Sequence, residues 1–211
     1  MIKLVSVSEA FCYHRYMTKS HENQLPELIA LIGLDGTGKG HLAQHLRDEY
    51  GFLTLGASEI IKNVKSRRPH LKNLHPDEAT RQLKEELGST FITDTAVAKL
   101  EATRDLHSGL VLDGPRRLPE IERFKELGGK VLHVNADPEE RFKRLVERGR
   151  EDAPRTVEEM LARDEAQLQG DPTDKNSLNM RAIIGLADEI VLNDYTADFH
   201  KEAVNALKRL K

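Results

Sequence analysis

Tryptophan is missing from this chain of 211 residues, cysteine occurs once, and aromatic side chains make up only 5% of it. The single cysteine, Cys12, excludes an internal disulfide framework and suits a reducing compartment. Its thiol reads as a buried or tail group rather than a nucleophile, because no His and Asp are recognisably arranged around it. With few aromatics, and no basic stripe interleaved with them, binding to nucleic acid is not expected. Neither sign of charge prevails: 32 Lys and Arg stand against 35 Asp and Glu, for a net charge of −3. Bulk electrostatics therefore favours neither nucleic acid nor a membrane surface. No apolar run approaches the roughly 20 residues needed to span a bilayer. The opening MIKLVSVSEAFCYHRYMTKSHENQ has a broken apolar stretch and no small-residue cleavage site, so it does not read as a signal peptide. Residues 1–25 are read as an appended arm, residues 26–211 as one domain, and a cytoplasmic location is expected.

What is present is alternation. Short apolar runs, LIALI (Leu28–Ile32), FLTL (Phe52–Leu55), LVL (Leu110–Leu112), VLHV (Val131–Val134) and EIVL (Glu189–Leu192), are separated by longer amphipathic stretches. In PEERFKRLVERGR, the residues Phe142, Leu145 and Val146 recur at helical spacing and predict an inward face. Pro138 suits a first helical turn that Asp137 can cap, and Gly128 and Gly129 stop the helix before it. Strands alternating with helices predict an α/β fold: a parallel sheet covered on both faces, with every strand's C-terminal end on one edge. Ligands of such sheets bind at that edge. No repeat, low-complexity tract or linker interrupts the pattern.

At the first strand end the sequence reads LIGLDGTGKGH, from Leu31 to His41. A strand, a GxxxxGK loop and a helix in that order form a phosphate-binding loop. Gly33, Gly36 and Gly38 let successive N–H groups turn inward, the helix adds its positive end, and Lys39 adds a point charge for β- and γ-phosphates. The next position ordinarily holds the Ser or Thr that binds Mg²⁺, but here it is Gly40. A second constellation, SGLVLDGPRRLPEIERF, delivers Asp113 to the same sheet edge, where a carboxylate can hold Mg²⁺ through water. A turn and two arginines, Arg116 and Arg117, follow. The third, ERGREDAPRTVEEMLARDEAQ, brings Arg148 and Arg150 at one helix end and Arg163 on the next helix.

These motifs resemble adenylate kinases and related nucleoside monophosphate (NMP) kinases. Their loop reads GKGT where this one reads GKGH, and the Asp35 of GLDG is more like thymidylate kinases. The resemblance implies a three-layer α/β/α sandwich with five parallel strands in the order 2-3-1-4-5. It implies ATP as phosphoryl donor with Mg²⁺, a nucleotide acceptor, and ATP contacts from Gly33, Asp35, Gly36, Thr37, Gly38, Lys39, Gly40, His41 and Arg148. His41 either meets a phosphate or is an ordinary first-turn residue. The DGPRR run resembles the family's DGFPR, in which Arg grips the acceptor phosphate. Ungapped, Arg117 matches it; with a gap, Arg116 does. Ser58 in GASEII sits where the family opens its acceptor-binding helix and reads better as a helix cap, while Arg81 further on is expected to face water. Residues 56–107 are then the acceptor-binding insert. Gly149, Arg150, Asp152, Glu158 and Arg163 resemble a short lid over residues 148–163, whose arginines close over the phosphates, and Ala153 replaces its second Asp. The ending LADEIVLN is similar to dephospho-CoA kinases and to a group of adenylate-kinase-like P-loop proteins.

The expected activity is transfer of the γ-phosphoryl of ATP to an NMP, with Lys39, Asp113, Arg150 and Arg163 as the catalytic set. Dephospho-CoA kinase is the nearest alternative. A P-loop ATPase that switches a partner is the alternative of another class.

Overall fold

The computed structural model describes residues 25–74, 76–170 and 177–211. The expected N-terminal arm, Cys12 included, lies outside the described residues except for Leu25, which is buried against the core. Five strands form the sheet: β1 (Leu28–Ile32), β2 (Leu53–Gly56), β3 (Leu110–Asp113), β4 (Lys130–Ala136) and β5 (Glu189–Asn193). All pairings are parallel, as the alternating pattern predicts, and the order is β2-β3-β1-β4-β5, as the family resemblance implies. Each apolar run had marked its strand to within two residues at either end.

The strands are apolar because both faces are covered. Ile29, Leu31, Val111, Leu132 and Val134 point to one side, where α1 (Lys39–Tyr50) and α9 (Phe199–Arg209) add Leu42, Leu46, Val204 and Leu207. Ala30, Ile32, Leu110, Leu112 and Val131 point to the other. That side is closed by α2 (Ala57–Ser66), α3 (Pro76–Leu87), α4 (Phe91–Ala102), α5 (Leu118–Glu126) and the short α8 (Met180–Ile184). Each such Leu or Ile contributes about 1.5–3 kcal/mol by leaving water. Two more helices, α6 (Pro138–Glu147) and α7 (Val157–Gln169), follow β4 and flank the residue 148–156 turn. Asp137 caps α6 as expected, its carboxylate accepting from the N–H groups of Glu139 and Glu140. No helix among the described residues is long and apolar enough to cross a membrane.

Two local expectations are corrected. Ser58 does not cap α2: β2 runs straight into Gly56, whose extended backbone starts the helix at Ala57, so Ser58 lies inside the first turn and is exposed. The inward face of α6 is not aliphatic either. Its buried residue is Arg141, Phe142 and Leu145 are half-buried, and Val146 is 48% exposed. The reason is electrostatic: Arg141 has a buried carboxylate partner on α7.

The parallel register gathers the strand ends. Leu31 of β1 stands beside Asp113 of β3, Gly56 of β2 beside Asp113 on its other side, and Ala136 of β4 beside Asn193 of β5. The loop leaving β1 therefore has carboxylate, amide and basic groups on both flanks.

Candidate active site at the sheet edge

The loop between β1 and α1 is built on Gly33, Gly36 and Gly38, with φ of 144°, 85° and 93°. Lys39 opens α1 and is buried; its Nζ donates to Leu34 O at 2.7 Å and to Thr37 Oγ1 at 3.3 Å. Burial pushes its pKa down to about 8, while the carboxylates of Asp113 and Asp35 pull the other way.

Asp113 ends β3 at this loop. Burial raises its pKa, offset in part by the charges of Lys39, Arg116 and Arg148. Its Oδ1 is buried and accepts no hydrogen bond. A Cβ placed on Gly40 would lie 3.9 Å from Asp113 Oδ2. The loop position that lacks a hydroxyl thus faces the carboxylate. A buried, unpartnered carboxylate oxygen beside a phosphate loop is a donor suited to a hydrated Mg²⁺.

The two arginines after Asp113 part company. Arg116 donates to Asp35 Oδ1 at 2.6 Å and to Gln167 Oε1 at 3.0 Å, tying the loop to α7. Burial of Asp35 would raise its pKa, but the charges of Arg116 and Lys39 outweigh it and hold the carboxyl below the usual value. Arg117 precedes α5, and its charge reaches Glu120 instead. On the 148–163 segment, Arg148 and Arg150 are both exposed, and the charge of Arg148 reaches Asp113. Arg163 engages its own turn, donating to Asp152 O and to Glu159. In the helices between β2 and β3, Arg81 is exposed and paired with Glu78 and Glu85.

Beside the loop opens a cleft of about 330 Å³ bordered by Gly36, Gly38, His41, Arg144, Arg148 and Tyr195. That volume falls in the range of small-ligand pockets. Arg144 lies over the Tyr195 ring, 4.5 Å from its centre.

Sequence reasoning missed several residues here. Arg141 Nη2 donates to both oxygens of Asp164, at 3.0 and 2.8 Å, and its Nε donates to Asp35 O at 2.8 Å. Asn193 Nδ2 donates to Thr37 O at 2.9 Å, and Tyr195 Oη to Gly36 O at 2.8 Å. Glu120, in the first turn of α5, is 1% exposed with both carboxyl oxygens unpartnered. His133 on β4 is buried, its Nδ1 is unpartnered, and burial together with the Lys39 charge lowers its pKa. The available signal was one arginine on the side of α6 that also carries Phe142 and Leu145.

Comparison with known proteins agrees with this architecture. Residues 29–168 match a family model for the AAA domain. A UPF0200 protein from Hyperthermus butylicus is 32% identical over 188 residues, spanning 87% of this chain and 94% of that protein. Among solved structures, a shikimate kinase from Acinetobacter baumannii in complex with shikimate aligns with a TM-score of 0.52 at 15% identity, over 90% of this chain and 96% of its own. The TT1252 structure from Thermus thermophilus aligns at 0.56 and 20% identity, over 86% and 96%. These two likenesses concern the fold, which is that of P-loop kinases.

Proposed function

The chain belongs to the AAA domain family and to the UPF0200 proteins, and from that premise we propose that it is an ATP-dependent phosphotransferase acting on a nucleoside monophosphate. The observation that carries this reading is the convergence of Lys39, Arg116 and Arg148 on Asp113 at the phosphate loop. Phosphoryl transfer needs little covalent chemistry from a protein; it needs alignment and neutralisation of charge. Lys39 holds the β- and γ-phosphate oxygens. Arg116, once released from Asp35, holds the acceptor's phosphate from the other side, with Arg117 as the alternative. Arg148 and Arg150 add charge late, as the 148–163 segment closes and excludes water. Asp113 is the residue that would hold Mg²⁺, through water, and the ion would supply further neutralisation of the transferring phosphate. The cleft at Arg144 and Arg148 accommodates the donor nucleoside.

A second reading is favoured by Asp113 itself. A buried carboxyl of raised pKa can take a proton from a hydroxyl acceptor, which fits phosphorylation of an alcohol such as dephospho-CoA.

The test is a screen of the full chain with ATP and Mg²⁺ against NMPs, deoxy-NMPs, dephospho-CoA and shikimate, read by ADP formation and product mass. An NMP gaining one phosphate is expected, falling at least about 100-fold in Lys39→Ala and in Asp113→Ala. A phosphorylated alcohol would transfer the assignment to the second reading. ADP formation indifferent to every acceptor would sink the kinase reading and leave an ATPase that serves as a switch.

A further inference from the structure

Three consecutive carbonyl groups of the phosphate loop each accept a hydrogen bond from a side chain outside the loop. Arg141 Nε donates to Asp35 O at 2.8 Å, Tyr195 Oη to Gly36 O at 2.8 Å, and Asn193 Nδ2 to Thr37 O at 2.9 Å. A peptide unit is planar and trans, so its C=O and the N–H that follows point in opposite directions. Drawing the carbonyls of residues 35, 36 and 37 toward this outer ring turns the N–H groups of Gly36, Thr37 and Gly38 the other way. Among the described residues, nothing accepts from those three N–H groups. They are the donors with which a loop of this kind grips phosphate oxygens.

We propose that Arg141, Tyr195 and Asn193 are positioning residues that hold the phosphate loop in its anion-binding form before any ligand arrives. The proposal rests only on the phosphate-binding part of the reading above. Each ring member is itself anchored. Arg141 is held by both oxygens of Asp164, with both side chains buried. Asn193 Oδ1 accepts from the Tyr195 N–H at 2.8 Å, and the guanidinium of Arg144 covers the Tyr195 ring. Tyr195 is the only non-glycine residue with positive φ among those described, at 60°. A tyrosine in that region carries strain of about 1–3 kcal/mol, and its contacts with Gly36 O and Arg144 are what hold it there.

The ring also accounts for two glycines. A Cβ on Gly38 would lie 2.2 Å from Asn193 Nδ2, in the space the amide uses to reach Thr37 O. A Cβ on Gly36 would press on the backbone of Arg141, 3.0 Å from its carbonyl oxygen. Loop and ring fit each other only without those side chains.

Loss of the ring leaves Lys39 and the glycines in place but frees the peptide units to rotate, so it weakens anion binding without removing it. The experiment uses the full chain and two probes, inorganic tripolyphosphate and ATP with Mg²⁺, in calorimetric titrations. Tyr195→Phe deletes one hydroxyl, Asn193→Ala one amide, and Lys125→Met breaks a tie to Asp188 and Leu186 O, away from the loop. The expected result is dissociation constants raised about three- to tenfold by Tyr195→Phe for both probes, the range of one net hydrogen bond. Asn193→Ala should weaken both probes more, and Lys125→Met should leave both unchanged while lowering thermal stability. NMR adds a second readout: in the ligand-free ring variants the amide signals of Gly36, Thr37 and Gly38 should broaden or shift, and in Lys125→Met they should not. Folded ring variants that bind like wild type would overturn the proposal. Wild type that binds both probes but transfers no phosphate would sink the kinase reading and leave this one standing. Wild type that binds neither would overturn both.

Discussion

Glu120 keeps its carboxyl out of water, 1% exposed and unpartnered. Burial raises its pKa to about 8 from an ordinary 4.5, against the downward pull of Arg117 and Lys84. Between those two values the unfolded chain has released a proton that the folded chain retains. Stability therefore falls as pH rises from near 4.5 to near 8, by roughly 1.4 kcal/mol per pH unit from this group alone. Below about 4.5 the contribution is intact, and above about 8 its loss is complete. Glu120→Gln removes the titration while keeping the shape. In urea denaturation the variant should gain on wild type by several kcal/mol at pH 8.5 and show little gain at pH 4. A parallel pH dependence in both proteins would mean that Glu120 is solvated after all.

At the scale of elements, α6 and α7 are joined by a charge pair where an aliphatic contact was expected. Arg141 and Asp164 have side chains only 3% and 7% exposed. Buried pairs of this kind add little stability over an apolar pair of similar size, but losing one partner strands the other's charge. Asp164→Ala should therefore destabilise the protein by about 3–5 kcal/mol. The double variant Arg141→Met with Asp164→Leu should recover most of that loss in the same urea titrations. It should not recover tripolyphosphate affinity, because methionine cannot donate to Asp35 O. Recovery of both properties would assign the pair to packing alone. The neighbouring caps are ordinary by comparison: Asp137 satisfies two backbone N–H groups at the start of α6, and Thr156 one at the start of α7.

At the scale of the whole molecule, what sequence could reveal follows the range of the forces involved. The five strands, the phosphate loop and the Asp137 cap were legible because each is specified within a few residues, by apolar runs, glycine spacing or a capping side chain. Asp113 was legible for the same reason, as an acid at the end of a buried run. Ser58 misled because a good local cap lost to a strand that continues into Gly56. The different surroundings of Arg116 and Arg117 were not legible either: Arg116 is tied to Asp35 and Gln167 on distant elements, whereas the charge of Arg117 reaches Glu120. Arg141, Asn193 and Tyr195 were out of reach because they meet the loop across 106, 156 and 159 residues of chain. No local pattern marks a side chain whose purpose is a carbonyl that far away. The same separations set an order during synthesis. A chain emerging from the ribosome carries its phosphate loop early, but two of the side chains that brace it belong to the last strand and the turn after it. Stalled nascent chains ending before Glu189 should therefore be poorly retained on immobilised ATP, while released full-length protein is held. Equal retention would show that the loop matures without its last strand. If the bracing proposed above holds, nucleotide capture strengthens only once the sheet is closed, and an unfinished chain holds a site it cannot yet use only weakly.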